Sequence, residues 1–111
     1  MRRIRRTDPE SEARWLDQAR DIATRVLAPH DVELYLFGSR ARGDARLASD
    51  IDLAIEPHGD LPASVLVRLA DELEESTIPV RVELIDMRVA GERLRESVRR
   101  EGIRWIASKS A

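Results

Sequence analysis

The middle of the chain reads Leu34-Tyr35-Leu36-Phe37-Gly38-Ser39-Arg40-Ala41-Arg42-Gly43 and continues, after a short polar link, as Ser49-Asp50-Ile51-Asp52-Leu53-Ala54-Ile55. The first run is apolar and stops at a Gly-Ser pair, whereas the second opens with two carboxylates in alternate positions. A phosphate-binding turn that faces a metal site needs a strand that ends in such a turn and a second strand that begins with carboxylates. We interpret the rest of the sequence as the scaffold that brings them together.

The first run is predicted to be a β-strand that ends in an anion-binding turn. Apolar residues occupy every second position, in the order Val32, Glu33, Leu34, Tyr35, Leu36, Phe37. Gly38 ends the strand, because glycine permits backbone angles that are closed to other residues. Ser39 stands where a helix can start, so its hydroxyl and nearby N–H groups are predicted to face a phosphate. We expect Arg40 and Arg42 to add nucleotide contacts, with ordinary surface arginines as the alternative.

The second run carries the candidate metal ligands. Asp50 and Asp52 are two positions apart, so on a strand both side chains project from one face while the intervening apolar residues fill the other. Carboxylates this close repel each other until protons or cations neutralise them, and oxygen ligands suit Mg²⁺ and the nucleoside triphosphate that it accompanies. The alternative is that Asp50 caps a turn and Asp52 lies on a solvated strand edge. The Gly-Ser pair at the end of the preceding strand favours the metal site.

A third strand is predicted to supply one more carboxylate. After Pro79 the residues alternate again, in the order Val80, Arg81, Val82, Glu83, Leu84, Ile85. If the apolar positions face the core, Glu83 faces the opposite way, where it can join Asp50 and Asp52 across the sheet. Asp86 is the alternative third carboxylate, but it has the wrong parity and is better suited to capping the strand end.

Three longer helices are predicted around these strands. The pair Asp8-Pro9 is typical of a helix start, and an apolar stripe continues to about Ala28. A second start at Asp60 and Pro62 leads to a helix that ends near Glu75. The last helix ends near Glu101 with Gly102 as its C-terminal cap. Residues 103–106 are predicted to form a short edge strand or a packing tail.

Length and composition limit the function further. With 111 residues we expect one domain, residues 1–111, with flexible ends at 1–7 and 107–111 and no separate substrate-binding domain. Nineteen basic and twenty-one acidic residues give a net charge of -2, so we expect neither direct nucleic-acid binding nor membrane binding. The absence of cysteine excludes disulfides and thiolate chemistry. No apolar stretch resembles a membrane span or a signal peptide, so a cytoplasmic location is expected.

The compound motif resembles the signature of a known superfamily. Gly38-Ser39, ten intervening residues, and then Asp50-Ile51-Asp52 are similar to the motif of the polymerase-beta-type nucleotidyltransferases. The resemblance is strongest to the minimal nucleotidyltransferase (MNT) antitoxins, which are paired with HEPN-domain toxins. It implies an α+β fold, in which a small mixed β-sheet is flanked by helices. Glu83 matches the third carboxylate of that family, although many members carry aspartate there.

The resemblance also implies an activity. Asp50, Asp52 and Glu83 would be catalytic metal ligands for two Mg²⁺ ions, while Gly38 and Ser39 hold the phosphates of ATP. AMP would pass to a hydroxyl, expected to be a tyrosine, of a partner HEPN toxin, and this protein adenylylation would silence the toxin, as in a type VII-like toxin–antitoxin pair. The alternatives are an antitoxin that neutralises its partner by binding alone, or a nucleotidyltransferase that acts on a small molecule or tRNA.

Overall fold

The structure is a computed structural model that describes residues 8–109, so the expectations for residues 1–7, 110 and 111 lie outside the described part. Within that part the chain forms eight elements, which are α1 Pro9–Leu27, β1 Val32–Phe37, α2 Ser39–Arg42, β2 Ile51–Pro57, α3 Ala63–Glu75, β3 Val82–Asp86, α4 Glu92–Glu101 and β4 Ile103–Ile106. The predicted α+β class is confirmed, and residues 103–106 form the edge strand rather than a packing tail.

The four strands form one mixed sheet in the order β3-β2-β1-β4. β1 is antiparallel to both β2 and β4, whereas β2 and β3 are parallel. The register sets Phe37 opposite Asp52, and Asp52 opposite Glu83. Because the end of β1 therefore meets the starts of β2 and β3, the Gly-Ser turn and the acidic residues lie at the same end of the sheet.

The two faces of the sheet are covered unequally. On one face, α1 and α3 pack against the alternate apolar residues of β1 and β2, and this larger core contains Ala19, Ala23, Val26, Leu27, Val32, Leu34, Leu36, Ile51, Leu53, Ile55, Leu69 and Leu73. On the other face, α4 forms a smaller cluster in which Ala54, Met87 and Val98 are buried. Asp52 and Glu83 share this second face, since side chains alternate along a strand.

The helix ends agree with the sequence in part. Asp8 caps α1 as predicted, and its carboxylate accepts a hydrogen bond of 3.2 Å from the Ser11 backbone N–H. Asp60 does not cap α3, because the cap position is taken by Pro62, whose extended backbone leads directly into the first turn. Gly102 caps α4 as predicted, but with a φ of -69° rather than in the left-handed region. A Cβ at Gly102 would collide with the backbone carbonyl oxygen of Val98 and would lie 3.3 Å from the Tyr35 ring, so close packing explains the glycine.

The end of the described chain is attached to the loop between α1 and β1. The expected flexible tail, residues 107–111, is described only as far as 109. Within it, the Ser108 hydroxyl donates to Asp31 Oδ1 at 3.0 Å, and the Lys109 N–H donates to the same oxygen at 2.7 Å. Among the helices of the described part, none combines the length and the apolar character needed to cross a bilayer.

We predict that Leu53→Ala lowers the free energy of unfolding by about 2–5 kcal/mol, because the Leu53 side chain lies in the central strand and is 0% exposed. Val67→Ala is the matched control, since Val67 is 59% exposed on α3 and should change the same quantity by less than about 0.5 kcal/mol. Urea denaturation of both variants measures the difference. Equal losses would contradict the assignment of the core.

Candidate functional site

Three carboxylates converge at the open end of the sheet. Asp50, Asp52 and Glu83 each place one oxygen within 4.8 Å of the other two. The parallel pairing of β2 with β3 sets Asp52 beside Glu83 on one face, and Asp50 precedes Asp52 by two positions, which gives it the same orientation. The structure thus brings together the three acids that the sequence singled out. An all-oxygen donor set of this kind suits Mg²⁺.

The cluster is electrostatically costly without a cation. Burial raises the pKa of Asp52 above its usual range, and the negative charges of Glu83 and Asp50 and a side-chain hydrogen bond with Glu83 raise it further. The positive charge of Arg42 acts in the opposite direction. A divalent ion bound between the three carboxylates would remove this repulsion, so the residues fit the metal that the sequence predicts.

Gly38 lies directly against the acidic cluster. Its backbone has a φ of 76° and a ψ of -156°, a conformation that side-chain-bearing residues rarely adopt. A Cβ on Gly38 would collide with the Asp52 carboxylate. Ser39, the first residue of α2, therefore begins next to the carboxylates, as predicted. Because α2 has only four residues, its helix dipole is weak, and the phosphate site at Gly38 and Ser39 stays a prediction.

Arg40 is not placed as the sequence suggested. Its side chain is 0% exposed, and its Nη1 atom lies 2.9 Å from Glu12 Oε2. Its Nη2 atom donates to the carbonyl oxygens of Leu47 at 3.3 Å and Ser49 at 2.6 Å. The guanidinium also lies over the Trp15 ring, 5.5 Å from its centroid. Since protein groups surround this guanidinium, we correct the expectation of a nucleotide contact and omit Arg40 from the proposed phosphate site.

Arg42 remains close to the cluster and accessible. Its side chain is 47% exposed, and its Nε atom lies 3.3 Å from Asp44 Oδ2. A weaker ion pair of 3.9 Å joins it to Glu101 at the end of α4. Because its positive charge lowers the pKa of Asp52, Arg42 is near enough to act on an anion bound at the carboxylates.

Asp86, the alternative third acid, is engaged elsewhere. It lies at the opposite end of β3, paired with Ile55, and its Oδ2 atom is 2.9 Å from Arg88 Nη2. The side-chain hydrogen bonds from Arg88 hold the pKa of Asp86 below its usual range. Arg88 also donates to the carbonyl oxygen of Leu61 at 3.0 Å. Of the two candidates, the structure brings Glu83 to Asp50 and Asp52.

Comparison with known proteins identifies the family. The model of the family described as "Polymerase beta, Nucleotidyltransferase" matches residues 24–110, which is more than half of the chain. The chain therefore belongs to this nucleotidyltransferase family.

Individual relatives are more specific. A Haemophilus influenzae protein named "Probable protein adenylyltransferase MntA" is 39% identical over 70 residues, which are 63% of this chain and 61% of that protein. A chain from a crystal structure of a toxin–antitoxin with AMP-PNP is 27% identical, with a TM-score of 0.65 over 81% of this chain and 74% of the other. A chain from a complex of a tri-AMPylated Shewanella oneidensis HEPN toxin with its MNT antitoxin is 25% identical, with a TM-score of 0.60 over 84% and 73%.

We predict that Asp52→Asn stabilises the metal-free protein. The raised pKa of Asp52 means that its charged form is less favourable in the folded than in the unfolded state. The destabilisation is therefore fully present above the folded pKa, declines as the pH falls through that pKa, and is gone below the unfolded pKa. The melting temperature in EDTA should rise by a few degrees at pH 8 and by much less at pH 4. Asp71→Asn, at an exposed position of α3, is the control. A lower melting temperature at pH 8 would contradict this account.

We predict that Gly38→Ala destabilises the protein by about 1–3 kcal/mol, because the new methyl group meets the Asp52 carboxylate and the positive φ is strained. Gly59→Ala is the matched control, since nothing lies within 4 Å of a Cβ at Gly59. Urea denaturation compares the two variants. If both glycines tolerate alanine equally, the close approach of the turn to the carboxylates is wrong.

Proposed function

We propose that this protein is a Mg²⁺-dependent adenylyltransferase that transfers AMP from ATP to a hydroxyl group of a HEPN toxin, and that it thereby acts as the antitoxin. The observation that carries the proposal is the convergence of Asp50, Asp52 and Glu83 within 4.8 Å, directly beside Gly38. Membership of the nucleotidyltransferase family and the similarity to chains from toxin–antitoxin complexes support it.

The chemistry follows from the charges at the site. Two Mg²⁺ ions, when bound, would neutralise the triphosphate and stabilise the entering and leaving oxygens. Asp50, Asp52 and Glu83 would hold them, while Gly38 and Ser39 would orient the phosphates. The acceptor oxygen forms a bond to the α-phosphorus, the bond to the leaving pyrophosphate breaks, and the acceptor proton passes to Glu83.

Arg42 is the remaining proposed nucleotide contact. Its accessible guanidinium can donate hydrogen bonds to a phosphate oxygen and offset negative charge during the transfer. Its present pairing with Asp44, at 3.3 Å between two exposed side chains, is weak enough to be exchanged for a phosphate.

We propose that the acceptor is brought by the partner. The described residues form one sheet and its helices, and none of the three acids at the end of that sheet is buried, so a side chain from another protein can reach them. The similar Shewanella oneidensis complex contains an AMPylated HEPN toxin, which makes a toxin hydroxyl, and by family resemblance a tyrosine, the favoured acceptor. Because ATP is the substrate, we place the reaction in the cytoplasm.

We predict that labelled AMP passes from ATP to the HEPN toxin encoded beside this gene when Mg²⁺ is present, and that Asp52→Asn reduces the rate by about a hundredfold or more because a metal ligand is lost. Scintillation counting of the toxin band measures the transfer. Asp71→Asn is the control and should keep the wild-type rate.

Two results would contradict the proposal. If Asp52→Asn still neutralises the toxin completely, the protein acts by binding alone. If the protein consumes ATP rapidly without any partner and leaves the toxin unlabelled, its substrate is a small molecule or tRNA.

A further inference from the structure

The buried guanidinium of Arg40 connects three separate parts of the chain. Arg40 itself belongs to α2, its ion-pair partner Glu12 belongs to α1, and its two carbonyl acceptors, Leu47 and Ser49, belong to the link between α2 and β2. The Trp15 ring of α1 covers the guanidinium, 5.5 Å from its centroid to the Arg40 Cζ atom. The Arg40 side chain therefore attaches the link, residues 43–50, to the helical layer.

The chemistry of the arginine fits this arrangement. A buried cation is unfavourable unless hydrogen-bonding partners surround it, and Arg40 has both a carboxylate and two carbonyl oxygens. The planar guanidinium fork reaches acceptors in several directions at once, whereas the ammonium group of lysine is a compact point charge. A lysine at this position would keep the charge but lose the geometry.

These contacts of Arg40 affect the position of Asp50. The Ser49 carbonyl that accepts 2.6 Å from Arg40 belongs to the peptide bond that joins Ser49 to Asp50. The next peptide is also fixed, because the Ile51 N–H donates to the Arg81 carbonyl oxygen at 2.9 Å. Both peptides that flank Asp50 thus have a hydrogen-bond partner, one at Arg81, the residue before β3, and the other at Arg40.

The link also contains a local turn that ends at Ser49. A reciprocal pair of hydrogen bonds, from the Arg46 N–H to Ser49 Oγ at 2.9 Å and from the Ser49 N–H to the Arg46 carbonyl at 3.0 Å, closes a local turn. Arg40 adds contacts that join this turn to α1 and α2.

We propose that Arg40 is a positioning residue for the metal site, which holds the link so that the Asp50 carboxylate lies beside Asp52 and Glu83. The inference rests on the proposed function to the extent that these carboxylates bind a divalent ion. Arg40 acts through Asp50 and does not contact the ion or the nucleotide.

The test measures Mn²⁺ binding to the protein by electron paramagnetic resonance, in the absence of ATP and of any partner. Arg40→Lys should weaken Mn²⁺ binding by about 10–100-fold, the range found when groups that orient metal ligands are removed. The matched control is Arg20→Lys, because Arg20 also lies over a tryptophan, 5.9 Å from the Trp105 centroid, and donates to a carbonyl oxygen at 3.4 Å. This control should bind Mn²⁺ as the wild type does.

A second measurement separates positioning from general stability. Hydrogen exchange of the metal-free Arg40→Lys variant should be faster in residues 43–50 and unchanged in α3. If Arg40→Lys does not fold, Glu12→Gln replaces it, since this change keeps the carbonyl contacts and weakens only the anchor to α1. We expect Glu12→Gln to weaken Mn²⁺ binding by a smaller factor.

The outcomes distinguish this inference from the proposed function. One outcome is that the wild type binds Mn²⁺, Arg40→Lys does not, and the wild type transfers no AMP. This outcome would support the positioning role and overturn the proposed activity. Folded Arg40→Lys that binds Mn²⁺ like the wild type would overturn the positioning role alone. If the wild type binds no Mn²⁺, both are overturned.

Discussion

The mutual repulsion of three carboxylates is the constraint on which the rest of the structure depends. Asp50, Asp52 and Glu83 can stay within 4.8 Å of one another only because the backbone leaves them no alternative. Parallel pairing fixes Asp52 opposite Glu83, and the antiparallel partner strand brings Gly38 against Asp52 from the other side. The favourable free energy that offsets this repulsion comes from the larger core beneath β1 and β2. A destabilised, preformed cluster is what a cation-binding site requires.

The unequal layers of the fold explain why this end of the sheet is open. Among the helices of residues 8–109, α1 and α3 cover one face, whereas α4 packs on the face that carries the acids. The cluster of α4 centres on Ala54, Met87 and Val98, and Ala54 is two positions beyond Asp52 along β2. Phe37, which lies opposite Asp52, is only partly buried against this cluster, and none of the three acids is buried, so a ligand can approach the carboxylates.

Much of this arrangement could be predicted from the sequence, because it depends on the alternation of side chains between the two faces of a β-strand. Alternation located β1, β2 and β3, and parity alone favoured Glu83 over Asp86, since only an odd-numbered position on β3 shares a face with Asp52. Local rules also placed the cap of α1 at Asp8.

The failures have a common physical cause, which is that tertiary contacts leave no local pattern. Arg40 was grouped with the phosphate site because it follows Ser39, yet its partner Glu12 is 28 residues away in the sequence. Gly102 was correctly expected to end α4, but the sequence did not show that the Val98 carbonyl oxygen leaves no space for a Cβ there. The burial of Arg40 distinguishes it from Arg42, and the sequence alone does not show which of the two arginines is buried.

The most direct test of the central claim is a crystal structure with Mn²⁺ and a non-hydrolysable ATP analogue, in which anomalous scattering locates the metal. Our account predicts manganese within about 2.2 Å of oxygens from Asp50, Asp52 and Glu83, with the triphosphate against Ser39. Manganese and nucleotide bound at another surface, with the three carboxylates unligated, would contradict it.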